Sequence, residues 1–144
     1  LQLEMPIFQP YVEGQEISVD LYVTRKGTCK GVILRLREEI VDGESQVTTT
    51  FRDDKLESLF AAFAEKLKLY GHAVFQVIVT DTGECHIIEC NSRWGGASRI
   101  SLEVGLDSFY WFLLEANGAD LDEYPFLRSS VEKQLIRYPE DRIL

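Results

Sequence analysis

Ala73-Val74-Phe75-Gln76-Val77-Ile78-Val79-Thr80, then Asp81-Thr82-Gly83-Glu84, then Cys85-His86-Ile87-Ile88-Glu89-Cys90-Asn91 decide the fold. Two β-prone, mostly apolar runs flank a turn signal, which is the pattern of an antiparallel hairpin. The chain then becomes polar and glycine-rich through Ser92-Arg93-Trp94-Gly95-Gly96. Side chains alternate faces along a strand, so Glu89, Asn91 and Arg93 are expected to present a carboxylate, an amide and a guanidinium on one face. If the loop is the pair Thr82 and Gly83, Gln76 falls opposite Glu89 and three oxygen-bearing side chains converge. Glycine as third turn residue also fits a type I turn with a bulge, which would shift the pairing by one. Ile87 is expected on the face of the polar trio, and Gln76 stands amid Val74 and Ile78. Polar groups on such apolar ground cost free energy unless something pairs with them.

Carboxylate and amide oxygens suit a hard divalent cation, and magnesium uses few protein oxygens, completing its octahedron with water and substrate phosphates. Gln76, Glu89 and Asn91 fit that demand. Arg93 offers a planar fork of donors for a phosphate oxygen, and Gly95 and Gly96 let backbone approach an anion. The competing reading is a solvated strand face with a surface ion pair between Glu89 and Arg93. His72 and His86 have no cysteine or second histidine at ligand spacing and read as structural.

The remaining chain supplies a scaffold. Ile17 to Thr24 and Gly31 to Arg37 read as strands about a turn at Lys26-Gly27, and Asp42-Gly43 marks a turn before a strand at Val47 to Phe51. Asp53-Asp54 caps a helix whose Leu56, Leu59, Phe60, Phe63 and Leu67 form an apolar stripe, with Gly71 closing it. Ser108 to Asn117 reads as a second helix, begun by Asp107 and ended by Gly118, apolar nearly all round through Phe109-Tyr110-Trp111-Phe112-Leu113-Leu114 and so expected as a core helix. Gln134 to Tyr138 is a last strand before Pro139. These elements predict an α+β fold, an antiparallel sheet with helices packed on one face, over residues 1–144 as a single domain.

With 144 residues and 45% hydrophobic side chains, the chain can bury a core. Its net charge of -9 argues against a nucleic acid or an anionic membrane as partner. No apolar run reaches the ~20 residues of a membrane span. Three cysteines, Cys29, Cys85 and Cys90, lack Cys-x-x-Cys spacing, which points to a reducing cytoplasm.

Gln76 through Gly96, with its Glu-x-Asn-x-Arg and following glycine pair, resembles the C-terminal ATP-binding subdomain of the ATP-grasp superfamily, in its carbamoyl-phosphate-synthase-like branch. Gly14-Gln15-Glu16-Ile17-Ser18-Val19-Asp20 resembles that subdomain's first strand, and Phe8 to Tyr11 its hinge; the matching features run from about Ile7 to Gly118. The resemblance implies ATP as cofactor with two magnesium ions, manganese being an alternative. Glu89 would be shared by both ions, with Gln76 and Asn91 each completing one site. Arg93 would be the catalytic contact to the transferred phosphoryl group, Glu16 would hold the ribose, and Gln9 would lie beside the adenine, although a glutamate common at the hinge is replaced around Gln9 and Pro10. Ser92 stands where proline is frequent.

The implied reaction is that of an ADP-forming ligase joining a small carboxylate to an amine or related nucleophile through an acyl phosphate. The family clasps ATP between subdomains, and lysines and a glycine-rich lid come from a first subdomain that has no room before Phe8. The chain is therefore expected to be a C-terminal subdomain fragment, inactive alone, whose partners are the missing N-terminal subdomains, ATP and the carboxylate. Its oligomeric state is not legible. The alternatives are a non-catalytic nucleotide-binding or regulatory domain and an interaction module with no nucleotide site. Arg35 and Arg37 either help hold an acyl phosphate or acidic substrate, or form a charged outer face beside Glu38 and Glu39.

Overall fold

The computed structural model describes residues 8–138; Ile7 and Pro139 lie outside them. Six strands form one antiparallel sheet: β1 (Gln15–Val23), β2 (Cys29–Val41), β3 (Glu44–Phe51), β4 (Gly71–Val79), β5 (Cys85–Asn91) and β6 (Gln134–Ile136), in the order β5-β4-β1-β2-β3-β6. The β2–β3 hairpin is sharper than the polar sequence there suggests. Asp42 (φ 51°) and Gly43 (φ 78°) both take the left-handed region, as a two-residue turn matched to strand twist requires. This lets β2 extend to Val41.

Two irregularities cancel in the β4–β5 hairpin. Gly83 N–H donates to Thr80 O (2.8 Å), Thr80 N–H to Glu84 O (2.9 Å), and Gly83 has φ 83°, so the longer turn is used and Val79 pairs with Cys85. The ladder then slips at Ile88, and beyond it Gln76 faces Glu89 and Val74 faces Asn91. The expected Gln76–Glu89 pairing is thus restored by a bulge that the sequence does not announce. The same bulge corrects Ile87: it pairs with Val77 and belongs to the opposite face from Glu89, because one inserted residue inverts the alternation.

Helix α1 (Asp54–Lys66) starts where Asp53 accepts from the N–H groups of Lys55 and Leu56, both at 3.0 Å. It packs Phe60 and Ala64 on one sheet face, against Ile17, Val19, Leu21, Val32, Leu34, Phe75 and Val77. Lys68, at φ 56°, takes the left-handed position after the helix, while Gly71 (φ 81°) opens β4 instead. Leu59 and Leu67 remain half-exposed.

The antiparallel α+β class is as read, but the helices are divided between the two faces and not packed on one, because β1 is apolar on both sides. On the face away from α1 lie α2 (Arg99–Glu103), unannounced in the sequence, and α3 (Ser108–Ala116). Tyr22 and Ile33 of the sheet meet Val104, Leu106, Trp111 and Leu121 there in a second apolar cluster. The two faces differ because residues 17, 19 and 21 of β1 point to α1 while 18, 20 and 22 point away. Helix α3 is not enclosed as expected: it buries Ser108, Trp111 and Glu115, while Phe109, Tyr110, Phe112 and Leu113 are 44% to 53% exposed. Tyr22 hydroxyl donates to Glu115 Oε2 (2.9 Å) and Arg25 N–H to Glu115 Oε1 (2.8 Å), fixing the helix to the sheet. Burial, reinforced by Glu115, pushes the Tyr22 hydroxyl far above its ordinary pKa, so it remains a donor.

Asp53→Ala removes the acceptor for two orphan N–H groups at the start of α1, and should lower unfolding free energy by about 1 kcal/mol in urea titrations.

Candidate functional site

The face bearing α2 and α3 carries a polar row across the sheet. Glu89 pairs with Gln76, Gln76 with Ser18, and Ser18 with Arg35, which sets side chains from four strands side by side. Together with Arg37, Asn91, Arg93, Gly96 and Arg137 they line a cleft of about 220 Å³. Four guanidinium groups line it with Asp42, Glu44 and Glu89; three of them are paired, Arg35 with Asp20, Arg37 with Glu16 and Arg137 with Glu44.

Gln76, Glu89 and Asn91 come together as expected. Asn91 Nδ2 donates to Glu89 Oε1 (2.7 Å), which orients the amide, and both side chains belong to residues lining the cleft. Among the described residues no three or more His, Cys, Asp or Glu cluster as metal ligands, so a cation here would rely on one carboxylate and two amides. That sparse oxygen set fits magnesium sharing its coordination with phosphates and water and does not fit zinc. Arg93 lies at the cleft's end, exposed, with Nη1 donating to Trp94 O (3.2 Å).

Glu16 is not among the cleft residues but pairs with one of them. Its Oε1 is 3.0 Å from Arg37 Nε, within ion-pair distance but outside hydrogen-bond alignment. Gln9 lies in the exposed, irregular stretch before β1 and is not among the cleft residues. Gly95 does not offer its N–H to an anion, since that group donates to Ser98 Oγ (3.0 Å). Gly96 leaves room for Arg137: a Cβ there would stand 2.7 Å from Arg137 Nη2.

Arg35 and Arg37 form no outer face. Arg35 is 2% exposed and Arg37 is buried; Arg37 Nη2 donates to Gly43 O (2.7 Å), bracing the β2–β3 turn. Arg35 Nε donates to Asp20 Oδ2 (2.5 Å), and Ser101 Oγ donates to the same oxygen (3.0 Å). Ser98 Oγ donates to Asp20 Oδ1, with His72 Nε2 3.3 Å from it. Burial works to raise the Asp20 pKa, but the Arg35 charge and then His72 outweigh it and hold the carboxyl well below the usual range. Asp20 and Arg137 are the residues that reading the strand motif missed. The first was visible as the end of Gly-x-Glu-x-Ser-Val-Asp; the second, just beyond β6, carries no local signal.

The cysteines are free. Burial pushes the Cys29 thiol up to about 11 and raises Cys85 and Cys90 as well, so none is primed as a thiolate nucleophile. No helix of the described residues is long and apolar enough to cross a membrane.

The sequence profile described as "ATP-grasp in the biosynthetic pathway with Ter operon" matches residues 2–137. The chain belongs to this ATP-grasp family. Among solved structures its fold is similar to the biotin carboxylase domain of a thermophilic 2-oxoglutarate carboxylase bound to bicarbonate (TM-score 0.71, 16% identity, covering 86% of this chain and 30% of that one). It is also similar to Campylobacter jejuni biotin carboxylase in complex with beta-gamma-ATP (TM-score 0.68, 18% identity, 86% and 30%). The corresponding Hydrogenobacter thermophilus domain, solved with MgADP, ADP and bicarbonate, gives TM-score 0.66 at 16% identity, with 83% and 28% covered. The ATP-grasp chain thus spans about 30% of the length of those proteins. Among curated proteins none matches. The ATP-grasp membership agrees with the resemblance carried by Gln76 through Gly96.

Asp20→Asn leaves Arg35 buried without a counter-charge and should cost about 3–5 kcal/mol of stability. Because the folded pKa of Asp20 is depressed, its contribution is complete above the unfolded value of ~3.9 and is lost as pH falls toward the folded one. Urea midpoints measured from pH 7 downward should therefore drop below about pH 4 in the wild type, with that component absent from Asp20→Asn.

Proposed function

We propose that this chain is the phosphate- and magnesium-binding part of an ADP-forming ligase that activates a carboxylate as an acyl phosphate. The observation that carries this reading is the convergence of Gln76, Glu89 and Asn91 beside an arginine-rich cleft in a chain of the ATP-grasp family. Relatives of this fold have been solved with MgADP and bicarbonate and with beta-gamma-ATP, which supports a nucleotide in the same cleft.

In this reading Glu89, between Gln76 across the ladder and Asn91 along the strand, is the ligand common to two magnesium ions, with manganese an acceptable substitute. When bound, the metal supplies charge neutralisation on the phosphate oxygens. Arg93 holds an oxygen of the transferring phosphoryl group, where charge spreads over equatorial oxygens. The carboxylate oxygen forms a bond to the γ-phosphorus as the bond to the β-bridging oxygen breaks and ADP leaves. An amine or related nucleophile then attacks the acyl carbon, expelling phosphate and losing a proton. Glu16 serves the ribose and Gln9 the adenine edge. The carbamoyl-phosphate-synthase-like branch and a cytoplasmic setting, in keeping with three free thiols, belong to the same proposal. Turnover requires the remaining subdomains, and the chain alone is inactive.

Glu89→Gln should abolish ADP release by the intact enzyme and remove the thermal shift produced by magnesium with a non-hydrolysable ATP analogue, with its circular dichroism unchanged. ADP release at the wild-type rate would refute the metal assignment. Absence of ADP release from the wild type across carboxylates would favour the regulatory alternative. Arg93→Ala should lower the rate by about 10²-fold while changing the affinity for the ATP analogue little; an unaltered rate removes Arg93 from the transfer step.

A further inference from the structure

A second cavity, of about 420 Å³, opens beside the cleft and shares Arg93 with it. Its walls are aromatic: Trp94 and Phe109 stand 5.0 Å apart between ring centroids, Tyr70 and Phe112 6.2 Å, and His72 meets Trp94 edge-on at 5.7 Å. Tyr70, Trp94, Phe109 and Phe112 are each 38% to 53% exposed. Two of the cavity's polar side chains meet each other and a third bonds outside it. His72 Nδ1 and Ser108 Oγ are 2.9 Å apart, and the Tyr22 hydroxyl is committed to Glu115. Among the described residues no Asp, Glu or Lys lines it; Arg93 is the charged residue of its lining, and Arg25 reaches its edge, with Nε donating to the Tyr70 hydroxyl (3.0 Å).

The order of groups along the sheet face is informative. Gln76 opposite Glu89 comes first, then Val74 opposite Asn91, then His72 on β4 with Arg93 beyond the end of β5. At roughly 3.3 Å per residue, Gln76 to His72 spans about 13 Å. Proposed metal ligands, phosphoryl contact and aromatic cavity therefore follow one another in a line. We infer that the aromatic cavity is the substrate site, and that the carboxylate presented at Arg93 carries an uncharged aromatic group seated among Trp94, Phe109 and Phe112. This rests on the proposed phosphoryl-transfer role of the neighbouring cleft. The lining fixes the chemical class. A second charged group would lose solvation among the rings, whereas a ring finds tilted and edge-on partners at stacking distance. The volume is that of a small-molecule pocket, apolar with few polar groups.

The test is equilibrium binding of phenylacetate and of acetate to the intact protein, read by calorimetry, with magnesium and a non-hydrolysable ATP analogue present. Phenylacetate should bind at least about tenfold more tightly than acetate, and Phe112→Ala and Trp94→Leu should each erase most of that difference. The thermal shift with the ATP analogue should remain in both variants, showing that they fold and keep the cleft. Equal affinities for the two acids, with that shift present, would overturn the aromatic site alone. A missing nucleotide shift in the wild type would overturn the functional reading and this inference with it. If Phe112→Asp converts an oligomer to monomer in light scattering, the face is a contact between copies and the inference falls.

Discussion

One buried carboxylate organises the functional side of this domain. Asp20 sits in the central strand with no exposure, and accepts from Arg35 on β2 and from Ser98 and Ser101 after the glycine pair, with His72 on β4 beside it. An ion pair out of water is costly unless its remaining lone pairs are filled. Here both oxygens are satisfied from several elements, so the network persists only when sheet, loop and α2 are all in place. Asp20 thereby couples the position of the glycine loop to that of the arginine cleft.

The rest of the site follows from that anchor. Ser98 receives the Gly95 N–H while donating to Asp20, which holds the chain after Arg93 against the sheet and places Trp94 at the aromatic cavity. Arg37 braces the β2–β3 turn, and Arg137 pairs with Glu44 at 2.8 Å. The opposite face is plain hydrophobic packing around Phe60 and Phe75. The functional face also holds an apolar cluster, around Leu106 and Trp111, and beside it retains polar groups and open rings at the expense of burial. This division is common where a rigid sheet supports a site.

The family profile spans nearly the whole chain, whereas the similar solved structures share 16% to 18% identity and speak to fold. What this chain adds is its own side chains: a single carboxylate among the metal candidates, four arginines about the cleft and an unenclosed aromatic helix.

The sequence by itself determined the strands, the α1 cap at Asp53 and the one-sided array of Glu89, Asn91 and Arg93, because alternation and capping are local properties carried by neighbouring residues. It also placed Gln76 opposite Glu89, though through a turn and a bulge whose shifts cancel. Only the tertiary structure decided which face Ile87 takes, that Arg35 and Arg37 turn inward, that Asp20 anchors Arg35, and that Arg137 joins the cleft. Those outcomes depend on pairing between strands distant in the chain and on the cost of leaving a buried charge unpaired. No local pattern encodes either.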